Sequence, residues 1–238
     1  MQLSSILKTL AGATLLTSAL ISCTQKEEVK KPNLLFIFPD EWRGSALGFL
    51  EKEPVKTPNL DRFAKQGVVL THAVSTYPVC VPYRTMLMSG KYSQTNGVIT
   101  NTFADKKEMP DSTKWLSDVL KEQGYDLGYL GKWHITRPVG DCYGTDSLKG
   151  SAKRWIKIED RHGFDYFIMH SDSGHMTSYY WDSNDGPNDY KSVGKWTAEF
   201  DTENAIRYIK NEKGDRDENK PFALFVSMHP PHMPYNNQ

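Results

Sequence analysis

Eight side chains carry the chemistry this sequence can offer: Asp40, Glu41, Cys80, Arg84, Lys132, His134, His229 and His232. They fall in four short stretches, PDEWR, CVPYR, GKWH and HPPH. Asp40 and Glu41 are hard oxygen ligands suited to Ca²⁺ or Mg²⁺, and a cation between two adjacent carboxylates relieves their repulsion. The plain alternative is an Asp that caps a turn beside an exposed Glu. Arg84, Lys132 and one histidine supply fixed positive charge where a tetrahedral anion develops negative charge. Cys80 stands between Pro78 and Pro82, at the start of a predicted helix. A helix N-terminus favours negative charge, which suits a nucleophile. The set as a whole suits metal-assisted cleavage of a sulfate or phosphate ester. Any one of these residues alone reads as a solvated charge or a structural histidine. The weight lies in four stretches with complementary chemistry.

Those stretches need a scaffold that delivers them to one place. NLLFIF (33–38) is a continuous apolar run, the mark of a strand buried on both faces. TPNLDRFAKQG predicts a helix with Thr57 as N-cap, Pro58 in first position and Gly67 as terminator. VVLTHAV (68–74) predicts the next strand, and a helix is expected from about Pro82 to Gly90. STKWLSDVLKEQG predicts a helix with Trp115, Leu116, Val119 and Leu120 on one face and Gly124 as terminator. Strands follow at 125–131 and 164–169. TAEFDTENAIRYIKN predicts a helix whose apolar set is Phe200, Ala205, Ile206 and Ile209, and PFALFVSM a last buried strand. The polar stretches 137–163 and 170–194 read as loops that either line a pocket or form surface insertions.

Strands alternating with helices predict an α/β fold with a mainly parallel central sheet flanked by helices. Ligands in such sheets bind beyond the carboxyl ends of the strands. The four reactive stretches each follow a predicted strand, which places them on one rim.

The chain has 238 residues and no net charge, enough for one large core and without electrostatic footing for nucleic acid as a partner. Its first 22 residues have the form of a signal peptide: Lys8, a short apolar run, then LISC ending at Cys23. LISC resembles a bacterial lipobox, in which Cys23 is lipidated and becomes the mature N-terminus; the alternative is an ordinary signal peptide with a chance cysteine. Residues 23–31 read as a solvated tether and 32–238 as the catalytic portion. The expected address is the periplasm or an outer-membrane anchorage, with membrane contact through the lipid alone. A Cys80–Cys142 disulfide is compatible with that compartment. The reactive context of Cys80 argues against it.

CVPYR matches the C-x-P-x-R core of the type I, formylglycine-dependent sulfatases of the alkaline phosphatase superfamily. GYDLGYLGKWH (124–134) resembles their second signature, PDEWR their N-terminal metal-binding segment and HPPHMP their later histidine motif. The four occur in family order between Asn33 and Pro234. The resemblance implies an alkaline-phosphatase-like sandwich and an enzyme that cleaves sulfate esters, on sulfated glycans for an exported lipoprotein. It implies that a maturase oxidises Cys80 to formylglycine. The hydrated aldehyde attacks sulfur, the alcohol leaves, and the second hydroxyl lets sulfate eliminate. Asp40, Glu41 and the Cys80-derived group would bind Ca²⁺, or Mg²⁺. Arg84 would steady the diol, Lys132 would contact diol and sulfate, and His134 would deprotonate the second hydroxyl. His232 would contact sulfate or the leaving oxygen, with His229 the weaker match to that position. Val81, Tyr83 and Leu127 depart from the usual residues and bear on the subfamily. Family members continue beyond this length with further metal ligands, another lysine and a small antiparallel sheet. The expectation is therefore an N-terminal portion lacking its C-terminal part and incomplete in its metal site. Two rivals share the residues: a formylglycine-dependent phosphodiesterase or phosphonate monoester hydrolase, and a non-catalytic lipoprotein that binds sulfated glycans.

Overall fold

The computed structural model describes residues 30–101, 109, 112–135, 155–171 and 174–235. Cys23, Cys142 and the expected signal peptide lie outside the described residues. The chain divides after Pro32, and every element described lies in the unit that starts at Asn33.

Six strands form one sheet in the order β1-β6-β2-β3-β4-β5. They are β1 (Leu34–Ile37), β2 (Asp126–Gly131), β3 (Tyr166–His170), β4 (Tyr179–Trp181), β5 (Lys191–Ser192) and β6 (Phe222–Ser227). β1, β6, β2 and β3 are mutually parallel, and β4 and β5 add antiparallel pairs at one edge. The helices are α1 (Pro58–Ala64), α2 (Cys80–Ser89), α3 (Ser93–Asn96), α4 (Leu116–Glu122) and α5 (Thr197–Lys210). Side chains alternate across a strand, and here the alternation sorts two cores. Leu127, Tyr129, Phe167, Met169, Ala223 and Phe225 face Met88 of α2 and Leu120 of α4. Leu130, Tyr166, Ile168, Phe222, Leu224 and Val226 face Ala205 and Tyr208 of α5. Helices on both faces of a mainly parallel sheet make the expected α/β sandwich.

Several expectations change. Residues 68–74 form no strand; Val68, Leu70 and Val74 stand 76–88% exposed, and among the described residues no strand lies beside them. β1 forms as expected but is not buried on both faces, because among the described strands it is the sheet edge and pairs only with β6. Thr57 is the N-cap of α1 as expected, but its hydroxyl makes no cap bond to the helix backbone: it donates to Asp61 and accepts from the Gly48 N–H. That helix ends at Ala64 with Lys65 as its cap, so Gly67 does not terminate it. Ile206 lies on the solvent side of α5, and Tyr208 takes its place in the core. Val119 is likewise exposed on α4, while Trp115 and Leu120 are buried. The stretch 170–194 contains β4 and β5, too short to give an alternating pattern.

Candidate active site

Four parallel strands with adjacent places in the sheet must present their carboxyl ends on one edge, and the reactive residues cluster there. The Phe38 and Asp40 N–H groups continue the β1–β6 pairing to the Val226 and Met228 carbonyls, at 3.0 and 2.9 Å. That extension carries Asp40 into a buried position. Glu41 follows with φ 59°, a left-handed turn that swings its side chain outward. Past β2, the Lys132 N–H donates to the Ser227 carbonyl at 2.9 Å. Gly131 makes this possible: its φ is 92°, and a Cβ there would run into the Ser227 carbonyl.

Cys80 stands at a helix start, as expected, but without the strand expected before it. No strand precedes it; it is the first residue of α2, whose Val79 N-cap is extended. One helical turn on, Arg84 is buried and shares that face. Its guanidinium donates to the Lys132 carbonyl at 3.0 Å and to the Ser227 hydroxyl at 2.5 Å. The Ser227 and Tyr129 hydroxyls donate to the same carbonyl at 2.8 and 2.7 Å. Three donors on one oxygen lock the backbone of Lys132. Neither Ser227 nor Tyr129 stood out in the sequence, because a buried hydroxyl in an apolar strand leaves no pattern.

Asp40 is the hub. Lys132 Nζ lies 2.7 Å and Arg84 Nη2 3.7 Å from its carboxylate, with all three side chains at most 8% exposed. Burial pushes the Asp40 carboxyl up, but Lys132 and Arg84, helped by the Lys132 hydrogen bond and His232, hold it below the ordinary carboxylate value. Cys80 Sγ lies 3.4 and 3.7 Å from the two Asp40 oxygens. Burial raises the Cys80 thiol, Lys132 lowers it and Asp40 raises it again, for a net rise. A thiolate is therefore disfavoured here: helix N-terminus and cations do not outweigh burial beside a carboxylate.

The HPPH turn closes the group. His232 Nε2 lies 3.5 Å from Glu41, and the His232 N–H donates to the His229 carbonyl at 3.1 Å. His229 is buried, with its ring centroid 4.8 Å from that of His232. His134 stands two residues past Lys132 at the same strand end, half-buried with φ 49°. The structure thus brings Asp40, Glu41, Cys80, Arg84, Lys132, His229 and His232 together, with His134 adjacent in the chain.

Ligand atoms of Asp40, His229 and His232 lie within 4.8 Å of one another, as do those of Glu41, Cys80 and His232. This donor set fits a divalent cation in part. The two carboxylates and the Cys80 position supply three donors, where Ca²⁺ takes about six to eight oxygens.

Residues 32–238 match the protein-family model for Sulfatase. The chain is 33% identical over 230 residues to an endo-4-O-sulfatase of Bacteroides thetaiotaomicron, covering 89% of this chain and 45% of that protein. It is 34% identical over 232 residues to an ulvan-active sulfatase of Formosa agariphila, covering 94% and 42%. A solved structure of the sulfatase yidJ from Bacteroides fragilis superposes with a TM-score of 0.75 at 38% identity, covering 90% of this chain and 47% of that one. The chain spans about half the length of the relatives it matches.

Proposed function

The chain belongs to the sulfatase family, and from that premise we propose that it is the N-terminal portion of a hydrolase that cleaves sulfate esters on glycans, with formylglycine at position 80. The observation that carries this reading is the placement of Cys80 against Asp40, between Arg84 and Lys132, at the carboxyl edge of the parallel strands. A raised thiol pKa beside a carboxylate is a poor thiolate nucleophile but no obstacle to a residue that a maturase converts. Formylglycine supplies, as its hydrate, one hydroxyl to attack sulfur and a second whose deprotonation releases sulfate.

The chain's own groups divide the remaining work. Asp40 and Glu41, with residue 80, would hold a divalent cation, Ca²⁺ or Mg²⁺, which supplies charge neutralisation for the sulfate. Lys132 and Arg84 keep positive charge at the position the sulfate oxygens take. Arg84 also fixes the Lys132 backbone, so both cations move as one unit. His232 stands at the open side, where a leaving oxygen would emerge. His134 serves as the base for the second hydroxyl, and His229 backs His232. The names of the relatives specify a sugar position, 4-O, or a polymer, ulvan, which supports a sulfated carbohydrate as substrate. The export signal and Cys23 support an exported protein anchored by lipid at the periplasmic or outer-membrane surface.

The test is a paired assay of the whole gene product, matured with a formylglycine-generating enzyme, on an aryl sulfate and an aryl phosphodiester with Ca²⁺ or chelator. Ca²⁺-dependent turnover of the sulfate, lost in Cys80→Ala, is the expected result. Preference for the phosphodiester would transfer the assignment to that reaction. Glycan binding without turnover by matured protein would assign a binding role instead.

A further inference from the structure

The buried histidine His175 has no part in the assignments above, and its surroundings point to one. It lies in the turn before β4 at zero exposure. Its backbone is pinned from α5, whose Thr197 N–H donates to the His175 carbonyl at 2.8 Å. Its Nε2 reaches 2.5 Å from the main-chain carbonyl of His232, across 57 residues of sequence. A carbonyl oxygen only accepts, so His175 carries its proton on Nε2 and donates. Its ring also packs 4.8 Å, centroid to centroid, from His229, which in turn lies 4.8 Å from His232. Behind His229, at 6.2 Å, is His170, itself paired with Asp201 at 3.1 Å with both side chains fully buried. The HPPH turn is thus gripped from behind by a wall built on β3 and α5, both of which belong to the rigid sheet sandwich.

We propose that His175 is a positioning residue for the ester cleavage. It holds the His232 carbonyl and supports His229, and so fixes where the His232 ring points. The proposal rests on the sulfatase reading for what His232 does, but not for the contact itself. A misplacement of about 1 Å at a reacting group costs on the order of 100-fold in rate. Nothing in the sequence marked His175: it sits in a polar stretch, remote from every motif, and its partner is a backbone atom.

The experiment compares His175→Leu, which removes the donor, with His175→Gln, which restores an N–H at similar reach, in the matured whole gene product. His175→Leu is expected to lower kcat on an aryl sulfate about 10- to 100-fold with KM within about 3-fold. His175→Gln is expected to recover most of the loss, with conversion of Cys80 unchanged in both. On a His232→Ala background, His175→Leu should have almost no further effect, because it acts through that residue. An equal loss on both backgrounds would overturn the proposal, as would failure of the glutamine to rescue. Should the parent protein turn over no sulfate ester, the sulfatase reading fails separately. The contact is then read from ring signals of ¹⁵N-histidine-labelled protein. His175→Leu should shift the His232 signal and His175→Gln should restore it; an unchanged signal would overturn the proposal.

Discussion

Strands β1 and β6 lie side by side in register, Leu34 beside Ala223 and Ile37 beside Val226. Both are short apolar runs, yet every β6 residue is buried while the β1 side chains are 39–54% exposed. The difference comes from neighbours, not composition. β6 has strands on both sides and helices over both faces, whereas β1 has one strand partner among the described residues. Near it in sequence, Phe63, Val68, Leu70 and Val74 also stay exposed. The active-site cluster straddles the two regions. Lys132 and the HPPH turn hang from buried strands, while Asp40 and Glu41 hang from the exposed edge. Asp40 is nonetheless buried: its N–H continues the pairing to the Met228 carbonyl, and Lys132 and Arg84 reach across to its carboxylate. The buried half of the sheet therefore holds the Asp40 carboxylate by charge as well as by backbone pairing.

If that is right, the largest effect comes from cutting the charge link. Lys132→Met leaves the buried Asp40 carboxylate with only the longer Arg84 contact, and should cost about 3–5 kcal/mol in urea unfolding. Adding Asp40→Asn should return part of that loss; a double variant no better than the single would break the link between the two halves. Next in size is the contrast within the sheet. Leu224→Ala in the closed core should cost about 2–5 kcal/mol. Leu35→Ala, at 48% exposure, should cost well under half as much, since little area returns to water. Equal losses would mean that the β1 edge is covered in solution. Smaller again is Leu70→Lys, expected within about 0.5 kcal/mol of the parent, as for surface substitutions in general; a larger loss in thermal unfolding would show the segment to be packed.

The smallest effect concerns the loop beyond Glu41. Arg43 makes a two-pronged contact with Glu53, at 2.7 and 2.5 Å, and Ser45 donates to the same carboxylate. These bonds hold the Glu53 carboxyl down at about 2, against 4.5 ordinarily. A lowered folded-state pKa contributes stability above the unfolded value and loses it as pH falls through the folded one. The contribution should thus be whole above pH 4.5 and vanish towards pH 2. Exposure to solvent keeps it small. Glu53→Gln should lower stability slightly at pH 7, flatten the profile between pH 4.5 and 2, and match the parent towards pH 2.

Much of this was legible in the sequence, for a physical reason. β2, β3 and β6 are closed on both faces, so most of their residues are apolar and the pattern is plain. Reading the residues just past β1, β2 and β6 found Asp40, Lys132 and His229, because a parallel sheet aligns its carboxyl ends. The exposed side misled: 68–74 has strand composition but, among the described residues, no strand to pair with, and burial depends on neighbours that composition does not encode. Cys80 was found for its flanking prolines and Arg84, though a helix start and not a strand end delivers it. Ser227, Tyr129 and His175 escaped because each acts on a main-chain carbonyl, which any residue type presents.

The central claim concerns what stands at position 80, and mass spectrometry of the tryptic peptide 66–84 from protein produced with a maturase tests it most directly. An aldehyde in place of the Cys80 thiol, trapped by a hydrazide, is the result the geometry of Asp40, Arg84 and Lys132 leads us to expect. An intact thiol in the presence of an active maturase would contradict it, and would make the cluster a binding site for sulfate rather than a site that cleaves it.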